Sequence, residues 1–206
     1  MKNYKFYLSD IDSDTSLKNA SSIALDGEFS GLNPLTDKLH LLQLCDGSDF
    51  VHLIKFEGEY NAPNLKKILE NQKIKKILHY GRADLAFLKQ KLNINVANIF
   101  DTKIASKISR KFSPKHGLKD LCRDLININL SKEHQTSDWG KTIEEYSEDQ
   151  IIYACNDVLY LHKIKDELEK ILKRENKLEL AEQCFKFLET RTSLDLTGLT
   201  GDIFEH

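Results

Sequence analysis

The order of apolar and polar positions divides the chain into a strand-rich first half and a helical end. Short alternating or largely apolar runs occur at residues 4–8, 22–25, 39–44 (LHLLQL) and 49–54 (DFVHLI), each too brief for a stable helix. Asp46-Gly47 lies between the last two and predicts a hairpin turn. The three main strands of this part are therefore expected to form an antiparallel meander. Beyond it, the spacing predicts a helix over 64–70, a buried strand over 76–79 and a turn at Gly81. A helix over 83–92 follows, through Leu85, Leu88 and Leu92, then a short strand over 98–100 and a helix over 102–109. From there strands vanish, and residues 116–125, 147–172 and 177–189 all carry helical spacing. Ser147 and Gln150 have capping-box spacing for the second of these, with a predicted core stripe of Ala154, Val158, Leu161, Leu168 and Ile171. The sum is an α/β architecture: a mixed sheet of five to six strands flanked by helices, with a helical C-terminal third.

Composition narrows this picture without changing it. The chain has 206 residues, long enough for one domain with a real core, here taken as residues 1–206 with 190–206 as a tail. Lys and Arg number 30 against 32 Asp and Glu, a net charge of −2. A protein that grips long nucleic acid by its phosphates carries a clear basic excess, so a nucleic-acid substrate here is short or meets a local basic patch. Cys45, Cys122, Cys155 and Cys184 are widely spaced, which reads as reduced thiols rather than a metal site. No apolar run approaches the ~20 residues of a membrane span, and the first residues carry no signal-peptide pattern. The expected setting is the cytoplasm, with no membrane partner.

Three groups of side chains are candidates for chemistry. Asp26 and Glu28 stand at i and i+2 on a predicted strand, so both carboxylates leave one face, where a divalent cation would relieve their mutual repulsion. The plainer alternative ends the strand at Asp26 and leaves both acids in a solvated turn. Asp84 follows a predicted strand and turn, where an acid is also favoured simply by the helix dipole. Tyr153 and Asp157, at i and i+4, stack on one flank of a helix, and Asp157 facing solvent is the plainer alternative.

Taken together and in order, these groups read as D-x-E on the first main strand, an acid after a later strand, and Y-x-x-x-D on a late helix. That pattern resembles the DEDD exonuclease superfamily in its tyrosine-bearing branch, over nearly the whole chain. HYGRADLAFL resembles the second motif of ribonuclease D. Lys132, Ser137, Asp138 and Trp139 in LSKEHQTSDWG resemble its Lys…Asp-Trp signature, and YACNDVLYL resembles its third motif. The compact length, DTKIASKISRKFSPKHGLKDLC, and the ending CFKFLETRTSLDLTGLTGDIFEH resemble the nanoRNase C branch, which lacks the helical nucleic-acid-binding domains that follow the nuclease in ribonuclease D. Gly27 departs from the pattern, since these families usually carry Thr between the two acids; that side chain is not a ligand, so activity is expected to survive.

The resemblance implies a ribonuclease H-like fold and a 3′→5′ exoribonuclease that cleaves short RNA, dinucleotides foremost, to nucleoside 5′-monophosphates. It implies two divalent cations, Mg²⁺ or Mn²⁺: Asp26 shared between them, Glu28 and Asp157 completing the first site, and Asp84 holding the second. Tyr153 would orient the attacking water. It further implies a ring of identical subunits, an octamer. Phe29 and Leu32 are candidates to stack on or wedge between bases, with a core role as the alternative for each. His79, Arg82, His116, Lys132 and Gln135 are candidate phosphate contacts, with surface or structural roles as the alternative. Rival functions are ribonuclease D-like trimming of longer or structured RNA ends, exonuclease action on DNA, or a catalytically silent nucleic-acid-binding module.

Overall fold

The computed structural model describes residues 3–130 and 138–205. The strands are β1 (Asn3–Leu8), β2 (Ser22–Phe29), β3 (Leu39–Cys45), β4 (Phe50–Lys55), β5 (Lys75–Leu78) and β6 (Ile99–Asp101). They form one six-stranded sheet in the order β1-β4-β3-β2-β5-β6. The pairs β2/β3 and β3/β4 are antiparallel, as the hairpin signal requires, while β1/β4, β2/β5 and β5/β6 are parallel. The sheet is therefore mixed.

Side-chain alternation along each strand sorts the apolar residues onto two faces. On β2, Ile23 and Leu25 join one core and Ala24 the other. The first core is covered by α1 (Pro63–Leu69) and α2 (Arg82–Leu92), through Leu65, Ile68, Leu85 and Leu88. The second is covered by α3 (Thr102–Ser109), α4 (Leu118–Ile126), α5 (Glu148–Leu159), α6 (Leu161–Arg174) and part of α7 (Leu178–Leu196). With both faces buried, the interior strands are apolar on both sides.

The structure corrects two expectations about the C-terminal third. The helix expected over 147–172 is two helices that meet at Tyr160. No proline or glycine marks the break. Tertiary packing imposes it: α5 lies across β2, β3 and β4, whereas α6 packs on α3, α4 and β5. The core stripe shifts with it, so that Ile164 and Leu172 are buried and Ile171 lies at the margin. The last helix also runs beyond the expected 189 to Leu196. The chain after it folds back on its own domain: Arg82 donates to the carbonyl of Thr200 at 2.6 Å and Arg191 to that of Gly201 at 2.9 Å.

Candidate active site

The site forms where β2 outlasts its neighbour. Pairing between β2 and β5 stops at Ala24↔Ile77, and β2 continues to Phe29. Asp26 and Glu28 thus lie on an ordered strand, on the face of Ala24, not in a solvated turn. The helix α5 crosses that face. Its capping box holds, with the Ser147 side chain accepting from the Gln150 backbone N–H and Gln150 accepting from that of Ser147. Asp157 then projects toward the strand, and one ligand oxygen from each of Asp26, Glu28 and Asp157 falls within 4.8 Å of the others.

The fourth acid comes from the opposite layer. Asp84 is in the first turn of α2 and only 6% exposed. It closes on β2 at Gly27: a Cβ there would stand 3.0 Å from Asp84 Oδ1 and 2.7 Å from Cζ of Phe29. The missing side chain at Gly27 is what lets both approach. Phe29 stacks on Phe87 with ring centroids 4.1 Å apart, so its ring lines the back of this acid.

Electrostatics marks the cluster strongly. Burial pushes the Asp26 carboxyl well above the carboxylate range, and the charges of Asp84, Asp157 and Glu28 push it further. Glu28 is raised likewise by burial and by Asp157, with a hydrogen bond from Gln43 Nε2 at 3.1 Å pulling back. Burial raises Asp84 to about 7, against backbone hydrogen bonds that include Gly27. Among the described residues, the buried Asp84 Oδ1 atom has no hydrogen-bond partner. Like charges held this close, with a buried acceptor left open, fit a divalent cation, and the donor set of hard oxygens suits Mg²⁺ or Mn²⁺.

Tyr153 is one turn before Asp157 and hydrogen-bonded to it, and burial holds its phenol well above the usual tyrosine range. Its ring stands 6.4 Å from that of Trp139. The other predicted residues that the structure describes are scattered. Leu32, at 84% exposure, projects into solvent just beyond β2. His79 Nδ1 lies 2.9 Å from Thr102 Oγ1, whose own proton goes to the Leu78 carbonyl, so the imidazole donates. Burial lowers His79 to about 4, so it has no charge to offer a phosphate at neutral pH. The Arg82 guanidinium is likewise engaged, gripping both oxygens of Asp195 at 2.7 and 2.6 Å. His116 sits near Arg110, Lys107 and Lys103, with Asp120 also close and Arg110 paired to Asp124 at 2.6 Å. Lys132 and Gln135 lie outside the described residues.

Three participants were not singled out from sequence. Gln43 is fully buried against Glu28, and its signal was a lone amide in an apolar strand. Asp101 is buried and accepts from the backbone of Gly81 and Ile104, joining the starts of α2 and α3. Its signal was an acid at a strand–helix junction. Lys55 gave no signal, since a lysine ending a strand reads as exposed.

A 3′-5′ exonuclease family model matches residues 13–173. This chain belongs to the 3′-5′ exonuclease family. Among solved structures of this family, NrnC of Brucella melitensis is 41% identical, with a TM-score of 0.93 over 99% of this chain and 98% of that one. The same protein has been solved bound to pGG and with bound Mg²⁺. Ribonuclease D of Xanthomonas oryzae pv. oryzae is 31% identical over 169 residues, 82% of this chain and 46% of that protein. DNA polymerase I of Aquifex aeolicus is 30% identical over 177 residues, 86% of this chain and 28% of that protein. The chain thus spans less than half the length of these curated relatives. Within that family it is ribonuclease D-like and similar to NrnC, on a ribonuclease H-like fold. Among the described residues, no helix is long and apolar enough to cross a membrane.

Proposed function

We propose that the chain is one exonuclease domain that hydrolyses short RNA from its 3′ end, dinucleotides foremost, with two divalent cations held by Asp26, Glu28, Asp84 and Asp157. The observation that carries this reading is the convergence of Asp26, Glu28 and Asp157 within 4.8 Å on the face crossed by Tyr153. Short substrates are supported by the likeness over full length to NrnC, which has been solved with pGG, and by the near-neutral charge of this chain.

The chemistry that divalent cations supply when bound is a water acidic enough to attack and a counter-charge for the departing 3′ oxygen. Asp26, which feels the charges of Asp84, Asp157 and Glu28, would serve both cations. Glu28 and Asp157 would complete one site, and Asp84, outside that group of three, would serve the other. Gln43 holds Glu28 in place. Tyr153 orients the attacking water through its hydroxyl. The oxygen of that water would bond to phosphorus as the bond to the 3′ oxygen breaks; the water gives up a proton to solvent, the departing 3′ oxygen takes one up, and the released nucleotide keeps the phosphate on its 5′ oxygen. Leu32, exposed just beyond β2, would wedge between bases, and the basic side chains around His116 would meet phosphate.

The reading includes a cytoplasmic setting, which the free cysteines fit, and a ring of identical subunits. The exposed Phe112, Ile203 and Phe204 support such an assembly. Size exclusion tests it: a ring elutes far above the 23.8 kDa of one chain.

The deciding experiment is turnover of 5′-labelled RNA, from dinucleotides to chains of about ten nucleotides, with Mn²⁺ and Asp26→Ala as the blank. Dinucleotide cleavage far faster than the rest is expected. Equal or faster loss of long RNA would move the substrate to ribonuclease D-like trimming, and no metal-dependent turnover at all would leave only a binding module.

A further inference from the structure

Lys55 ends β4 and is 2% exposed. The register aligns Glu28 with Leu41 and Leu41 with Lys55. The lysine therefore leaves the sheet on the face that carries the acids, two strands away, roughly 10 Å. Its ammonium donates to the carbonyl oxygen of Trp139 at 2.7 Å and to the Tyr146 hydroxyl at 2.8 Å. That hydroxyl donates to the same carbonyl at 2.7 Å. Among the described residues, no carboxylate forms an ion pair with Lys55.

Among the described residues its hydrogen bonds go to neutral groups, with the charges of Glu57 and Asp138 acting from farther off, and burying an ammonium so costs desolvation that a methionine in the same space would not. What this one gains is a fixed backbone at Trp139. From the other side Gln150, in the first turn of α5, donates to the carbonyl of Asp138 at 3.2 Å. Trp139 is thereby held from both the sheet and α5. Its indole is 4% exposed and packs 5.6 Å from the Tyr146 ring and 6.4 Å from that of Tyr153.

We propose that Lys55 is a positioning residue for Tyr153: it pins the Trp139 carbonyl, and the indole so fixed braces the phenol that faces the acids. This rests on the reading of Tyr153 as the group that orients the water. Stiff placement of such a group is worth much of its catalytic effect.

The chain has a single tryptophan, so its fluorescence reports the brace independently of activity. Lys55→Met keeps the stem and removes the donors. It should make Trp139 about threefold more accessible to acrylamide and lower kcat about tenfold, with KM and the Mn²⁺ midpoint held within about twofold. In a Tyr153→Phe background the same substitution should change kcat less than about twofold. Unchanged quenching of Trp139 overturns the proposal alone, whatever happens to activity. An equal loss of kcat in both backgrounds also overturns it, because Lys55 then acts by another route. A Tyr153→Phe enzyme of full kcat overturns it together with the role of Tyr153. If Lys55→Met does not fold, Tyr146→Phe removes the second donor to the same carbonyl; a smaller loss of the same kind supports the brace, and an unchanged enzyme overturns it.

Discussion

Two charges stand two residues apart at the start of α2, Arg82 half-buried and Asp84 buried, and are built on opposite rules. Arg82 is fully answered: it grips both oxygens of Asp195, which Arg191 also contacts at 3.0 Å, and it donates to the Thr200 carbonyl. Asp84 is the reverse. It faces Asp26 and Asp157, its Oδ1 has no partner, and among the described residues no lysine or arginine pairs with Asp84, Asp26 or Glu28. Compensated charge staples a fold together. Uncompensated charge of one sign weakens it, and is kept where something of the other sign binds.

The largest test of this contrast is the removal of one acid. Asp26→Asn or Asp157→Asn should lower dinucleotide turnover by about a thousandfold or more, since a ligand is lost from the reacting centre. The comparison also fixes an opposite sign for stability. In EDTA, Asp26→Asn removes a carboxylate whose ionisation the fold resists, so the melting temperature should rise, by about 1–3 kcal/mol of stability. A variant that is both inactive and less stable without metal would break the contrast, because the acid would then be part of the scaffold.

Next comes pH. Asp26, Glu28 and Asp84 all bind protons more tightly folded than unfolded. Without metal, their contribution is therefore most favourable below the ordinary carboxylate value of 3.8, and it declines as pH rises toward the Asp84 value of about 7. Each fully shifted group contributes a slope of about 1.4 kcal/mol per pH unit within that window. Urea melts of the wild type and Asp84→Asn in EDTA should differ most at the alkaline end. Saturating Mg²⁺ or Mn²⁺ should flatten the wild-type curve. A difference that stays constant with pH would remove Asp84 from the titrating cluster.

The same contrast separates what sequence could disclose from what it could not. D-x-E on an alternating strand and Y-x-x-x-D on a capped helix are local patterns, and both carry their residues to one place because strand and helix periods place them on one face. The meander was legible from Asp46-Gly47, and Gly47 does adopt a left-handed φ of +93°. The break at Tyr160 was illegible, because neither neighbour disfavours helix and only the divergence of α5 and α6 over the twisted sheet demands it. The engagement of Arg82 was equally hidden: its partner Asp195 is 113 residues away. Lys55 was the hardest case, since its burial depends on the Asp138–Trp139 backbone arriving over the sheet with a carbonyl to offer.

Tyr153 tests the chemistry beside the acids without touching their charge. Tyr153→Phe keeps the ring against Trp139 and removes the hydroxyl. It should slow kcat about ten- to a hundredfold while the Mn²⁺ midpoint stays within about twofold. Loss of metal activation instead would make the tyrosine part of the ligand support.

The smallest effect sharpens the other half of the comparison. If Arg82 is a staple, Arg82→Ala and Asp195→Ala should each cost about 0.5–1.5 kcal/mol of stability, less than the acids gain or lose by titrating, because the pair is partly open to solvent. The double variant should cost little more than either single one, since one interaction is removed in all three. Turnover of the dinucleotide should stay within about threefold throughout. A phosphate contact behaves differently: Arg82→Ala alone would raise KM about tenfold or more, while Asp195→Ala would free the guanidinium and leave KM unchanged or lower it. The two substitutions therefore move together if the charge is structural and apart if it serves the substrate. The bidentate geometry at 2.6–2.7 Å favours the first.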